Sequence, residues 1–179
     1  QRERLLAPLI AGEAQWAFAY AESRGRVNLA DVSCLARQED GALQLNGEKV
    51  AVLNGPAADW LLITVRTGGE RRDQDGISLL AVPADSAGIS RRDYPLVDGS
   101  PGASIAFENV SVPAENLIGE PGAALKLVQH AVDGAIVAVG AEALGAMDAL
   151  LEQTVEYTRT REQFGQPIGS FQLMQGKIA

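Results

Sequence analysis

A single cysteine, Cys34, and a single histidine, His130, are all that this 179-residue chain holds of those two residue types. No internal disulfide can form, and no Cys/His set can close around zinc. A reducing, cytoplasmic setting is the expectation. Basic residues are also few, since 15 Lys and Arg face 23 Asp and Glu, for a formal net charge of −8. A chain this acidic lacks the field for a nonspecific grip on nucleic acid or on an anionic membrane, so any phosphate must be held by local groups. Aromatic residues make up 5% of the chain against 46% hydrophobic, which suits an aliphatic core of one ordinary domain or two small ones. The first residues, Gln1 to Leu6, show neither a signal-peptide core nor an initiating Met, and no apolar run is expected to reach membrane-spanning length. The sequence reads as part of a longer chain.

What is present changes character near Gly119. From Val27 to Val112 run short β-branched and aliphatic stretches, "VNLADVSCLAR", "LQLNGEKVAVL", "WLLITVRT", "ISLLAVPA" and "SIAFENVSV", separated by Gly, Pro, Asn and Asp. They predict antiparallel sheet. The "LNGE" step from Leu45 to Glu48 predicts an Asn-Gly hairpin, and "PADSAG" and "DGSPG" predict loops. Beyond "GEPGAA", residues Leu125, Val128, Val132, Ile136, Val139, Ala143, Met147, Leu150 and Thr154 recur at helical spacing and predict one long helix from about Ala123 to Thr160. Gly134, Gly140 and Gly145 within it suggest close contact with another helix. Ser170 is the expected N-cap of a second helix. A small sheet cannot cover so long an apolar row, so other helices must come from the rest of the polypeptide or from a partner subunit.

The stretch "YTRTREQFGQPIGSFQLMQGKIA" resembles a segment of the acyl-CoA dehydrogenases in which a tyrosine precedes Arg, then Gln-Phe-Gly, Pro-Ile and Phe-Gln. Upstream, "LNGEKVAVLNGPAADWLLITVRT" is similar to that family's Asn-Gly-x-Lys hairpin and Ala-Asp strand. "FENVSVPAENLIGEPGAAL" is similar to its strand-to-helix crossover, and "AGEAQWAFAYAES" to the segment that usually ends in Thr-Glu-Pro. The resemblance covers nearly the whole chain in order. It implies an α+β fold: residues 1–15 close an N-terminal helical domain, residues 16–119 form an antiparallel β-barrel middle domain, and residues 120–179 begin the long helices of an incomplete C-terminal bundle. It also implies FAD-dependent α,β-desaturation of an acyl-CoA thioester, a tetrameric homo- or hetero-oligomer, and an electron-transfer flavoprotein as electron acceptor.

Site residues follow from the same resemblance. Arg161 would pair with the FAD pyrophosphate of a neighbouring subunit through its fork of donors. Gln163 would add a hydrogen bond, Phe164 would pack on the nucleotide, and Gln172 would contact the adenosine half. A plainer reading stays open, in which Arg161 only ends a helix and Phe164 is core. Tyr20, Ala21 and Glu22 stand where the family's Thr-Glu-Pro segment meets the flavin, and an exposed loop carboxylate is the other reading of Glu22.

The chain also departs from the pattern. Ala21 replaces the usual Thr, Val27 the usual Ser near the substrate, and Ala51-Val52-Leu53 the usual Trp-Ile-Thr. On the long helix, Asp133 matches an acidic position near the substrate, whereas Ile136 replaces Arg, and Ala135 stands where some branched-chain members carry the catalytic glutamate. No base is visible, and it is expected beyond Ala179 or in a partner chain. These losses suggest a subunit that completes a partner's flavin site while its own is weakened or empty; a flavin-free structural or acyl-CoA-binding module is the further alternative. The run "SRGRVNLADVSCLAR…VPADSAGISRRDYPLVDG" is similar to the small subunit of pimeloyl-CoA dehydrogenases. That likeness implies a large partner subunit and a dicarboxylic acyl chain, with Arg24, Arg26, Arg91 and Arg92 as candidate cations by type alone. His130 beside Asp133, Trp16 and Trp60, and the "GGERRDQDG" turn carry less: a helix-face contact, core packing and a solvated loop.

Overall fold

The computed structural model describes residues 2–39 and 41–178. It shows the expected combination of sheet and long helix. Two compact units divide the chain, Gln1–Gln129 and His130–Ala179.

In the first unit, helix α1 (Arg2–Ile10) precedes strands β1 (Trp16–Ala19), β2 (Leu35–Glu39), β3 (Ala42–Leu53), β4 (Trp60–Arg66), β5 (Ile77–Pro83), β6 (Ile89–Pro95), β7 (Pro101–Pro113) and β8 (Leu117–Ile118). They pair in the order β6-β7-β3-β2-β4-β5-β8, with β1 beside β4. Most neighbours are antiparallel, but β1 runs parallel to β4, placing Trp16 opposite Trp60. Alternate residues of the long strands point into one core, which includes Leu43, Leu45, Leu61, Ile63, Leu80, Val82, Ile105, Phe107, Val110 and Val112. Each such side chain, fully buried, contributes roughly 1.5–3 kcal/mol.

Three local expectations are corrected. Asn46-Gly47 is not a hairpin turn but an irregularity inside β3, where the register to β7 shifts between Leu45 and Gly47. The tight turn lies instead between β2 and β3, where Glu39 pairs with Ala42 and Gly41 takes φ 84°. Gly47 is required by a close approach: with φ 145°, a Cβ there would lie 2.7 Å from the Cα of Cys34. Asn46 is held across the sheet, its Nδ2 donating to Asn109 Oδ1 at 3.1 Å and its Oδ1 accepting from Asn109 N at 2.9 Å. The extra residue lies on β7, where three steps from Val110 to Phe107 face two from Leu45 to Gly47 and Asn109 takes φ 50°.

The run from Val27 becomes a strand only at Leu35. Its earlier backbone is committed to side chains. Arg66, 3% exposed, donates to the carbonyls of Ala30 (2.8 Å), Val32 (3.4 Å), Arg71 (2.8 Å), Asp73 (3.1 Å) and Asp75 (2.7 Å). One guanidinium therefore ties the 30–32 turn to the 67–76 loop, and the carboxylate of Asp31 adds ion pairs to Arg71 and Arg72. The "GGERRDQDG" turn is a bracket around Arg66.

In the second unit, helix α2 (Leu125–Thr160), which starts within the first, continues to a short hairpin, β9 (Glu162–Gln163) and β10 (Gln166–Pro167). A 3-10 turn and helix α3 (Gln172–Ile178) follow. The expected Ser170 cap is also corrected. Its Oγ donates to the Pro167 carbonyl at 2.7 Å, closing the 3-10 turn, and α3 begins two residues later. Helix α2 further corrects the expectation about apolar runs: an 18-residue window within it has mean hydropathy 1.6, long and apolar enough to cross a membrane by length and composition. Ile136, Val139, Met147 and Leu150 are exposed along it.

Candidate functional site

The segment Tyr20–Glu22 follows the end of β1 at Ala19 and is held largely by side chains. Glu22 is buried, which removes the exposed-loop reading of this residue. Its Oε1 accepts from Lys49 Nζ at 2.8 Å and from Cys34 N at 3.0 Å. Its Oε2 accepts from Ser33 N at 2.8 Å and from the Ser33 hydroxyl. Burial pushes the Glu22 carboxyl up, but the Lys49 ammonium and the donors of Lys49 and Ser33 outweigh it, leaving the group below the usual carboxylate range. Lys49 has 0% exposure and also donates to Thr64 Oγ1 at 2.9 Å and to the Tyr20 carbonyl at 3.3 Å. Val50 N donates to the Ala21 carbonyl at 2.9 Å. The rings of Tyr20 and Phe18 lie 5.0 Å apart, and Phe18 borders an apolar groove of about 630 Å³ with Leu5, Leu9, Trp16, Leu62 and Ile118.

Sequence reasoning passed over Lys49, Ser33 and Thr64. A signal for Lys49 was present. Leu43 and Leu45 face the core, and the period of two carries that face on to position 49, where a lysine demands a buried partner.

The second constellation lies in the other unit. Arg161 follows α2 directly, its N–H bonded to the Tyr157 carbonyl and its carbonyl to Ile168 N, both at 2.8 Å. Gln163 pairs with Gln166 across β9 and β10, leaving Phe164 and Gly165 as a two-residue loop with φ 55° and 77°. Two successive positive φ values define a type I′ turn, whose first central position favours Asn, Asp or Gly. An aromatic residue there is strained, and Phe164 is nonetheless 92% exposed, in edge contact with Phe171 at 6.1 Å between centroids. The 3-10 turn after the hairpin sits tightly on the end of α2, because a Cβ on Gly169 would lie 2.9 Å from the Thr158 carbonyl oxygen. Arg161 is exposed and has no ion-pair partner among the described residues. Gln163 Nε2 bonds its neighbour's carbonyl at 2.7 Å, and Gln172 stands exposed at the start of α3. Arg161, Gln163, Phe164 and Gln172 are thus gathered on a hairpin and the helix after it.

The remaining candidates scatter. Val27, 96% exposed, lies on the 23–27 turn beside Arg24 and Arg26, which are also exposed. Arg91 is engaged by Asp93 at 2.7 Å and by the Gly55 carbonyl at 3.2 Å, and Arg92 is exposed. His130 and Asp133 lie exposed on α2. Trp16 and Trp60 stack on each other, 5.5 Å apart and 13° from parallel. Ala51 takes φ 51° beside a second register shift in β3 and donates its N–H to the Tyr94 hydroxyl at 3.0 Å.

Residues 17–110 match the family model described as acyl-CoA dehydrogenase, middle domain, and residues 125–179 the one described as acyl-CoA dehydrogenase, C-terminal domain. The chain is similar to the mitochondrial isovaleryl-CoA dehydrogenase of Arabidopsis thaliana, 34% identical over 182 residues that cover 100% of this chain and 44% of that protein. Among solved structures, butyryl-CoA dehydrogenase from Megasphaera elsdenii superposes with a TM-score of 0.89 at 30% identity, covering 99% of this chain and 47% of that one. The FAD complex of PigA superposes with a TM-score of 0.92 at 26% identity, covering 99% and 47%. The chain spans about half the length of the curated relatives it matches. It belongs to the acyl-CoA dehydrogenase family, with residues of both the middle and the C-terminal domains.

Proposed function

We propose that the protein carrying this chain is an FAD-dependent acyl-CoA dehydrogenase, an oxidoreductase acting on the CH–CH bond of an acyl-CoA thioester. The β9–β10 hairpin then serves the FAD of a neighbouring subunit. The observation that carries this reading is the strained, exposed Phe164 turn beside the guanidinium of Arg161, which has no ion-pair partner among the described residues. Backbone strain persists where something outside the local fold repays it. The residues fit the group: in a chain of net charge −8, a diphosphate needs a local cation, and Arg161 offers a planar fork of donors in the open. Phe164 would lie against the nucleotide, and Gln163 and Gln172 would bond its polar edges.

When bound, the flavin would take the β-hydride while a carboxylate outside this chain removes the α-proton, leaving a C=C bond. The chain's own contribution is to hold and orient. Arg161 neutralises phosphate charge, and the anchored Tyr20–Glu22 backbone offers fixed polar groups. A straightforward test is the absorption spectrum of the purified full-length protein: a flavin band that bleaches anaerobically on adding an acyl-CoA supports the reading, and a colourless protein that gains no band with added FAD rejects it.

A second reading has its own support, in Ala21, the exposed Val27 and the ringless bulge at Ala51. This subunit would complete a partner's site while its own is weak or empty, as in the small subunit of a heteromeric dicarboxylyl-CoA (pimeloyl-CoA) dehydrogenase. It would work in the cytoplasm and pass electrons through its partner to an electron-transfer flavoprotein. Co-expression with the genomic neighbour separates the two: flavin in the subunit alone favours the first reading, flavin only in the complex the second.

A further inference from the structure

We infer that Lys49 is a positioning residue for the Tyr20–Glu22 segment, setting where that backbone stands beside the flavin; the inference rests on the flavin reading given above. Tyr20, Ala21 and Glu22 belong to no strand, and a backbone bond from β3, Val50 N to the Ala21 carbonyl at 2.9 Å, holds the middle of the segment to the sheet. The network around Lys49 fixes the residues on either side, Tyr20 and Glu22. An ammonium has three N–H bonds and no acceptor, and Lys49 has three partners: Glu22 Oε1 at 2.8 Å, Thr64 Oγ1 at 2.9 Å and the Tyr20 carbonyl at 3.3 Å. These partners come from separate places. Thr64 is on β4, which is not a neighbour of β3 in the sheet because β2 lies between them, and Glu22 reaches on to the backbone of Ser33 and Cys34. Every donor of the amine is used, and the carboxylate accepts four bonds in all. A network so fully connected has one low-energy arrangement.

The stability argument for such a pair is weak. Removing an ammonium and a carboxylate from water costs several kcal/mol per ion, and well-packed apolar residues often do as well. What apolar residues cannot do is specify where the Tyr20 carbonyl and the Glu22 backbone stand. The network therefore acts through geometry: Lys49 is fully buried, and it places the backbone that would meet the cofactor.

The test uses the full-length protein and three variants. Lys49→Met alone leaves Glu22 buried without its cation and should lower the melting temperature sharply. Combining it with Glu22→Leu should recover most of that loss. The double variant should still bind FAD about tenfold more weakly or worse, and the amides of residues 20–23 should exchange with solvent faster while those of β5 do not. If the double variant melts like the wild type and keeps the wild-type FAD affinity and exchange pattern, the inference is overturned. If the double variant does not fold, Thr64→Val decides, since it removes one acceptor of the amine, with the hydroxyl's own 3.4 Å bond to the Tyr20 carbonyl, and leaves the ion pair. Weaker FAD binding at an unchanged melting temperature supports the inference, and unchanged binding overturns it. A wild-type protein that binds no FAD rejects the flavin reading and this inference with it, whereas wild-type binding with indifferent variants rejects only the inference.

Discussion

Burial decides what each titratable side chain of the sheet can do. Cys34 sits in the core, where burial pushes its thiol up to about 12, only partly offset by Lys49. It should not react with a thiol reagent at pH 8 in the native protein, and it should react fully once guanidinium unfolds the chain; prompt native labelling would contradict the packing. Glu22 behaves in the opposite sense. Its folded carboxyl is held below the usual range, so its stabilisation is present above the unfolded value and lost as pH falls through the folded one. Asp31, lowered chiefly by its hydrogen bond from Arg71, acts in the same direction. The melting temperature should therefore fall on acidification below the carboxylate range, and Glu22→Gln should show less of that fall. Arg66→Met removes a donor from five carbonyls, two of which, those of Ala30 and Arg71, keep the Val32 N–H, and should destabilise by about 3 kcal/mol in denaturant titration. At this scale the sequence was only partly legible. Glu22 was picked out by its place in a motif, but whether it was exposed depended on Lys49, 27 positions away, and no local pattern announces such a partner. Arg66 gave no signal at all, because its acceptors are backbone carbonyls.

Elements show where local chemistry and tertiary context compete. The helix from Leu125 to Thr160 was readable because its period persists over 36 residues. Asn46-Gly47 was misread because a positive-φ glycine serves a turn and a strand interior alike, and only the approach of Cys34 shows why β3 needs it. The Phe164-Gly165 turn is the opposite case, a local conflict that the sequence contains and the fold tolerates. Phe164→Asn should relieve the strained φ and raise stability by about 1 kcal/mol, while weakening FAD binding in the assembled protein. A rise in stability with no change in FAD affinity would leave the turn a structural curiosity and remove the chief support for the proposed role. Gly169→Ala should do the reverse of relief. Its methyl would meet the Thr158 carbonyl oxygen at 2.9 Å, displacing the 3-10 turn after the hairpin from the end of α2, and FAD binding and stability should fall together.

For the whole molecule, the family and its α+β layout were legible in linked motifs spread along nearly the entire chain, because each motif answers to a backbone feature: a bulge, an anchored segment, a hairpin. Substrate and subunit roles were not, since the residues that would set them are either replaced, as at Ala21 and Ala135, or expected outside this stretch. The exposed apolar row of α2, with Ile136, Val139, Met147 and Leu150, belongs to a chain that spans about half of its relatives' length. The account then turns on one guanidinium. Titrating FAD into the apo form of the full-length assembly, wild type against Arg161→Ala, is the most direct measurement. The account predicts an affinity loss of at least about tenfold, more than 1.4 kcal/mol, at an unchanged melting temperature for the apoprotein. Equal FAD affinity in the two proteins would contradict it.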